Sequence, residues 1–324
     1  MEAPSGNINV EVTPANTLSN GKISFKGGAP VIQFIIGEQE RLLIGKSVRL
    51  CGEFKVLLNQ GATPGNMVAP RNNGTGALNL NLPSRLGTYA MIDQLVLRSQ
   101  ETHQVIEHIR HYSRFAASFV PITNSMSDCK DHLSEASLIM PNYNLHKVAV
   151  TNLPSQQTTG NQFCMPLPCG LFNGVADIPL SSTWGLKGLL VEIHLAPDSN
   201  VLFDRSGAAA AFPDAFYELS NVKLVAEVTE PTPQMMSQFS AGGNTFEYNS
   251  ISSYYASINS TNPILNFQLG MSRVLGVFCN FIPAQNINAF GADGTATAPL
   301  KNDTGALANI DQVIFTRGGT RFPL

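Results

Sequence analysis

The feature that most constrains this chain is an internal repeat. Ile310-Asp311-Gln312-Val313-Ile314-Phe315-Thr316-Arg317 is a near copy of Ile92-Asp93-Gln94-Leu95-Val96-Leu97-Arg98, which lies 218 residues earlier. Gly87, Tyr89 and Ala90 precede the first copy, and Gly305, Leu307 and Ala308 precede the second at the same spacing. A second echo lies further upstream. Cys51-Gly52-Glu53-Phe54 opens a strand-like run ending at Leu58, and Leu275-Gly276-Val277-Phe278 opens one ending at Ile282, an offset of 224 residues. Two echoes in the same order at nearly the same offset indicate a tandem duplication of one domain of about 220 residues. One full unit ends near Thr229, so its copy is expected to end near position 447, beyond Leu324. The expectation is a complete first domain and the opening part of a second.

The pattern within a unit is β. Val31–Ile36, Ser47–Leu58, Ala77–Leu82, Ile92–Leu97, Lys147–Thr151, Gln162–Leu167, Gly188–Leu195 and Tyr217–Val228 read as strands, most of them with apolar residues on alternate positions. The alternation in the second is broken at Gly52. A helix is expected over Gln100–Ser118, where Val105, Ile109, Tyr112 and Ala116 recur at spacings of four, three and four. Met126–Leu138 reads as a second, shorter helix. About eight strands with Gly/Pro-rich connections and no helix–strand alternation fit a jelly roll or another sandwich. Residues 1–30 read as an N-terminal arm or extended edge, 31–229 as the first roll, 230–244 as a stiff Pro-containing linker, and 245–324 as the start of the second. In the second unit Ile264–Leu269, Val274–Ile282 and the Ile310 stretch are expected strands.

Composition narrows the function classes. Charged residues are 13% of the chain, about half the usual share of roughly 25%. The surface must therefore be built largely of Asn, Ser, Thr, Gln and Gly, which suits a protein covered by copies of itself. Net charge is −3 and no Lys/Arg run exists, and residues 1–26 carry only Lys22 and Lys26 against Glu2 and Glu11. Direct nucleic-acid binding is not expected, because phosphate contacts demand a basic surface. No apolar run reaches the 18 residues of a membrane-spanning helix, and no secretory leader pattern opens the sequence. Cys51, Cys129, Cys164, Cys169 and Cys279 are odd in number and scattered, which predicts reduced thiols in a reducing compartment.

The search for chemistry returns weak signals. His108 and His111 with Asp128, Cys129, Asp131 and His132 could assemble a metal site, but a polar, solvated surface accounts for them as well. His103 and His146 stand apart, and His194 lies alone in an apolar strand. Cys164 and Cys169 bracket Met165-Pro166-Leu167-Pro168, a spacing unlike a zinc knuckle. No strand carries the His/Glu set of a cupin metalloenzyme, and phosphate-loop and nucleophile-elbow patterns are missing. Catalytic, cofactor-binding and metal residues are accordingly expected to be none. Asn73, Asn259 and Asn302 match the glycosylation pattern by chance in an Asn/Thr-rich chain. Phe239, Phe246, Tyr248, Tyr254 and Tyr255 cluster after the linker. Packing between domains explains them better than a carbohydrate-binding surface, although a jelly-roll carbohydrate-binding protein stays as the alternative reading.

Two tandem jelly rolls with a helix after the fourth strand resemble the double-jelly-roll major capsid proteins of icosahedral DNA viruses. Asn280-Phe281-Ile282-Pro283, followed after a loop by Phe315-Thr316-Arg317-Gly318-Gly319-Thr320-Arg321-Phe322-Pro323-Leu324, resembles the start of the second roll in Polinton and adintovirus capsid proteins. Tyr217-Glu218-Leu219-Ser220-Asn221-Val222 resembles the last strand of their first roll. The likeness covers the chain in outline and these motifs in detail, and it departs in length, most of the second roll being missing. The resemblance implies an all-β tandem (double) jelly roll with a helical insertion in the first roll and an incomplete second one. It implies a structural, non-enzymatic major capsid protein of the virion, made in the host cytoplasm, that forms pseudo-hexagonal homotrimers. Partners would be neighbouring capsomers and penton and minor capsid proteins, with the genome separated from the shell by an internal membrane or other proteins. The long loops 60–76, 197–214 and 285–303 would face outward.

Overall fold

The computed structural model describes residues 6–16, 21–26, 28, 30–60, 63–67, 80–81, 86–125, 161–174, 177–204, 215–241, 246–261, 263–267, 273–279, 281, 313–317 and 320–322. Their elements, in chain order, begin with β1 (Ile8–Val12), β2 (Lys22–Ile23), β3 (Val31–Ile36), β4 (Leu42–Gln60), β5 (Thr63–Met67) and β6 (Leu80–Asn81). A 3-10 turn at Gly87–Met91 leads into β7 (Ile92–Ser99), β8 (Val105–Arg110) and helix α1 (Tyr112–Thr123). Then come β9 (Asn161–Pro166), β10 (Ile178–Pro179), β11 (Leu189–Leu195), a one-turn helix α2 (Asp198–Val201), β12 (Phe203–Asp204) and β13 (Ala215–Thr229). The link carries α3 (Pro233–Ser240), and β14 (Phe315–Arg317) and β15 (Thr320–Phe322) form a hairpin.

Eight of these strands make the body of the first unit, and their pairing is nested. β1 pairs with β13, β3 with β11, β4 with β9, and β7 with β8, all antiparallel. First joins last, second joins next-to-last, and so inward to the central hairpin. Two further contacts, β13 to β4 and β11 to β7, roll this long hairpin into two sheets, β1-β13-β4-β9 and β3-β11-β7-β8. That interleaving is a jelly roll. The fold is all-β, and β1, within the stretch expected to be an arm or extended edge, pairs with β13 as an edge strand.

The core lies between the two sheets. Ile32, Phe34 and Ile36 on β3, Leu189, Val191 and Ile193 on β11, and Leu95 and Leu97 on β7 face Val48, Leu50 and Phe54 on β4, Leu219, Leu224, Ala226 and Val228 on β13, and Phe163 and Met165 on β9. Two local devices keep these side chains in phase. On β13 the register slips between Ser220 and Lys223, where Asn221 adopts φ +52°. This bulge lets Tyr217 and Leu219 on one side of it and Leu224 and Ala226 on the other all point inward. On β4 the break at Gly52 has its reason in Phe163, its register partner. A Cβ on Gly52 would lie 3.1 Å from the Phe163 ring.

The helix expected over Gln100–Ser118 is two elements. Gln100–Gln104 is the turn of a β7–β8 hairpin, with the His103 N–H donating to the Ser99 carbonyl and His103 at φ +53°. Val105–Arg110 is a strand, and the helix starts only at Tyr112, after His111 at φ +53°. Ile109, Tyr112 and Ala116 are buried as the spacing required, but Val105 is 45% exposed. The inward pair Glu107 and Ile109 fits a period of two, and pairing with β7 overrides the helical spacing. The helix therefore follows the fifth principal strand rather than the fourth. Expected elements at 126–138 and 147–151 lie outside the described residues, and of 77–82 only β6 is described.

Among the described residues of the second unit the one ladder is the β14–β15 hairpin. Residues 263–267 and 273–279 carry no strand, and β14 covers only the end of the Ile310 stretch. A strand exists by its pairing. In the first unit the matching segments β4 and β7 are held by β13, β9, β11 and β8, and the described residues of the second unit supply no such partners. Ile264, Leu275 and Phe278 are 87%, 64% and 70% exposed.

Candidate functional site

The most unusual side chain of the roll is Glu107. It sits on β8 in register with Leu97, points inward, and is 3% exposed. A carboxylate in such a place must be fully hydrogen-bonded. Oε1 accepts from the Gly170 N–H at 3.0 Å and the Ile251 N–H at 2.7 Å, and Oε2 accepts from the Leu171 N–H at 2.9 Å. Burial pushes the Glu107 carboxyl above its ordinary value, against the pull of these donors. The same burial, reinforced by the Glu107 charge, pushes the neighbouring Cys169 thiol well up.

Two of the three donors come from the loop after β9, and the third from beyond the link. Glu107 thus ties the segment 246–253 to the roll. The tie is repeated on both sides. Tyr248 donates its hydroxyl to the Ile106 carbonyl at 2.7 Å, and the Arg110 N–H donates to Ser253 Oγ at 2.7 Å. The segment runs as a strap beside β8, an outer strand of its sheet, and it covers an edge that would otherwise present free backbone groups. Gly170 makes the close approach feasible, since a Cβ there would collide with the Asn249 carbonyl and lie 2.7 Å from Glu107 Oε1. Phe246, Tyr248 and Ile251 pack against the core of the roll. This is the packing reading of the aromatic cluster. Tyr254 pairs with Phe267, and Tyr255 with His111. Sequence reasoning missed Glu107. Its one signal was a lone acid at an inward strand position, and the helical assignment hid it.

The histidines scatter. His108 lies on the outer face of β8, with Nε2 2.9 Å from Gln94 Oε1. Burial first, then the charges of Arg110, His194 and Arg98, hold it below the usual imidazole value. His194 is on the outer face of β11, opposite Gln94. Arg98 meets Glu192 at 2.9 Å and Gln33 donates to Glu192 at 2.8 Å. Burial alone would raise the Glu192 carboxyl, but these two partners hold it below its ordinary value. The outer face of this sheet thus carries a polar cluster, Gln33, Glu192, Arg98, Gln94 and His108, among apolar residues such as Ile35 and Leu190. His111 opens α1 and lies 3.9 Å from Asp93. His132, His146, Asp128, Cys129 and Asp131 lie outside the described residues, and among the described residues no cluster of metal-ligating side chains forms.

The cysteines correct one expectation. The scattered spacing predicts free thiols, but β4 and β9 bring Cys51 and Cys164 directly opposite each other, and their sulfurs are joined. A spacing of 113 residues carries no hint of a ladder register. Cys169 is a free, buried thiol and Cys279 a free, exposed one.

The link docks on the roll through aromatics. Thr232 caps α3 by accepting from the Met235 N–H. Phe239 stacks on Trp184 with centroids 4.5 Å apart, and Trp184 Nε1 donates to Glu40 at 2.7 Å. A shallow depression of about 540 Å³ beside it is lined by Glu40, Arg41, Glu230 and Met236, with Arg41 and Glu230 paired at 3.6 Å. Trp184→Ala is expected to cost about 2 kcal/mol, from the lost stacking and apolar contact. It should also make residues 230–241 the first site cut in limited proteolysis. A cleavage pattern identical to wild type would show that the stack does not hold the link.

No family model matches this chain, and no curated protein matches it. Among solved structures, the chain is similar to VP54 of PBCV-1 as fitted into a cryo-EM reconstruction of the virophage Sputnik, at 14% identity and a TM-score of 0.38, covering 74% of this chain and 46% of that one. It is also similar to a chain of the 3.5 Å cryo-EM structure of the Sputnik virophage, at 9% identity and a TM-score of 0.40, covering 72% and 49%. The chain spans about half the length of the solved chains it matches.

Proposed function

We propose that this chain is a non-enzymatic structural protein, a major capsid protein that builds the shell of an icosahedral DNA virus through pseudo-hexagonal homotrimers. The observation that carries the reading is the 218-residue repeat, because the described residues of its first copy pair as a jelly roll. Two copies of one roll per chain, in a trimer, give six similar domains around one axis, so a three-fold object fills a six-neighbour lattice site. The low charge, the mixed polar and apolar outer face of β3-β11-β7-β8 and the strap that ties the second unit to the first are consistent with a subunit that spends its surface on self-contact. Neighbouring capsomers, penton and minor capsid proteins are the proposed partners. A membrane or other proteins would separate shell from genome, in keeping with a net charge of −3.

Native mass spectrometry of the protein from its source tests this. A three-fold assembly is the expected result. A monomer that persists up to tens of micromolar, together with saturable sugar binding, would move the assignment to a carbohydrate-binding protein.

A further inference from the structure

The paired cysteines do more than correct an expectation. β4 and β9 are antiparallel, with Arg49 opposite Pro166, Cys51 opposite Cys164 and Glu53 opposite Gln162. The neighbouring rows, Leu50 with Met165 and Gly52 with Phe163, face the core. Alternation therefore sends Cys51 and Cys164 to the outer face of the larger sheet. Both are partly exposed, and the third register partner on that row is Lys223 of β13, a solvated ammonium. Among the described residues, β9 pairs within its sheet with β4 alone. A small reagent can thus reach the sulfurs without the roll opening. Cys169 is the contrast, fully buried beside Glu107.

We propose that Cys51 and Cys164 are a reversible dithiol–disulfide site at which small disulfides and thiols in the surroundings staple and release the edge strand β9. Oxidation by glutathione disulfide balances in two steps. One protein thiol loses its proton and attacks the reagent, forming a mixed disulfide and expelling one glutathione thiolate. The second protein thiol loses its proton and attacks the protein sulfur of that mixed disulfide. The protein S–S bond forms and the second glutathione thiolate leaves. The two protons end on the two glutathiones, two protein sulfurs are oxidised and one glutathione disulfide is reduced. Reduction by excess thiol is the reverse. The staple closes a loop of 113 residues, long enough to constrain the unfolded chain strongly.

The test uses the full chain, incubated folded with glutathione disulfide and then alkylated and peptide-mapped. A linked 51–164 peptide is expected, with Cys169 unlabelled until the protein is denatured. Dithiothreitol should break the link within minutes under native conditions. It should also lower Tm by roughly 5–10 °C, while Cys51→Ser and Cys164→Ser, already lacking the staple, show no such drop. Separate glutathione adducts at the two positions would overturn the proposal. So would a link that resists dithiothreitol until the protein unfolds, or a wild-type Tm indifferent to reductant.

Discussion

Replacing Glu107 with Ala should lower the unfolding free energy by about 4 kcal/mol, among the largest losses for any side chain of the roll. The truncation strips the acceptor from three backbone N–H groups at once, those of Gly170, Leu171 and Ile251. A buried donor left without a partner costs about 1–3 kcal/mol, and water entering the vacated space returns only part of that. Denaturant titration measures the loss, and amide exchange at Ile251 should rise because the strap loses its central tie. Glu107→Gln is the sharper probe. It keeps one acceptor oxygen but turns an amide nitrogen toward a donor, so a loss of about 2 kcal/mol is expected.

The pH dependence has a definite sign. The folded carboxyl lies above its ordinary 4.5 because burial outweighs its donors. Between 4.5 and the raised value the folded state therefore binds more protons than the unfolded state. The contribution of Glu107 is fully present below 4.5 and is lost as pH rises through the folded value. Glu107→Gln removes that contribution, so the variant's stability should fall less steeply across this window. Parallel slopes for the two proteins would show that Glu107 does not titrate there.

Phe54→Ala should cost a similar amount, about 4 kcal/mol, by a different route. Phe54 is completely buried on β4 and stacks on Tyr217 of β13 with centroids 5.6 Å apart. Removing the ring forfeits its burial and leaves a cavity between the two sheets. Tyr217 is pinned by its own hydroxyl, which donates to the Ala196 carbonyl at 2.6 Å, so it cannot swing in to fill the gap. A Tm drop on the order of 10 °C is expected in calorimetry. A drop under about 3 °C would mean that the sheets close over the gap, contrary to this rigid packing.

Glu107 and Phe54 also show where the sequence was legible. Phe54 was readable, because the alternation along β4, interrupted only at Gly52, marks it as inward. The same rule located β13, a dense apolar run located β11, and with β3, β7 and β9 these read as a sandwich. The break at Gly52 was visible, but its cause, the Phe163 ring across the ladder, needs the register. Glu107 was not readable. The spacing of Val105, Ile109, Tyr112 and Ala116 suits a helix as well as a strand followed by a helix, and only the hairpin with β7 decides between them. Cys51 and Cys164 failed for the same reason, since cross-strand partners are set by topology and not by separation along the chain. The repeat announced a second unit, yet its strands need ladder partners before they can form.

The nested pairing also sets a schedule. β13 covers one whole flank of β4, joining Leu58 to Ala215 and Leu42 to Thr229. At about 5–20 residues per second, the ribosome delivers β13 on the order of ten to forty seconds after β4. The outermost pair, Ile8 with Val228, also waits for β13. For that interval Val48, Leu50 and Phe54 belong to a strand with one bare edge on a nascent chain. The synthesis of each chain is thus a period of exposed edges, before β13 arrives to cover them.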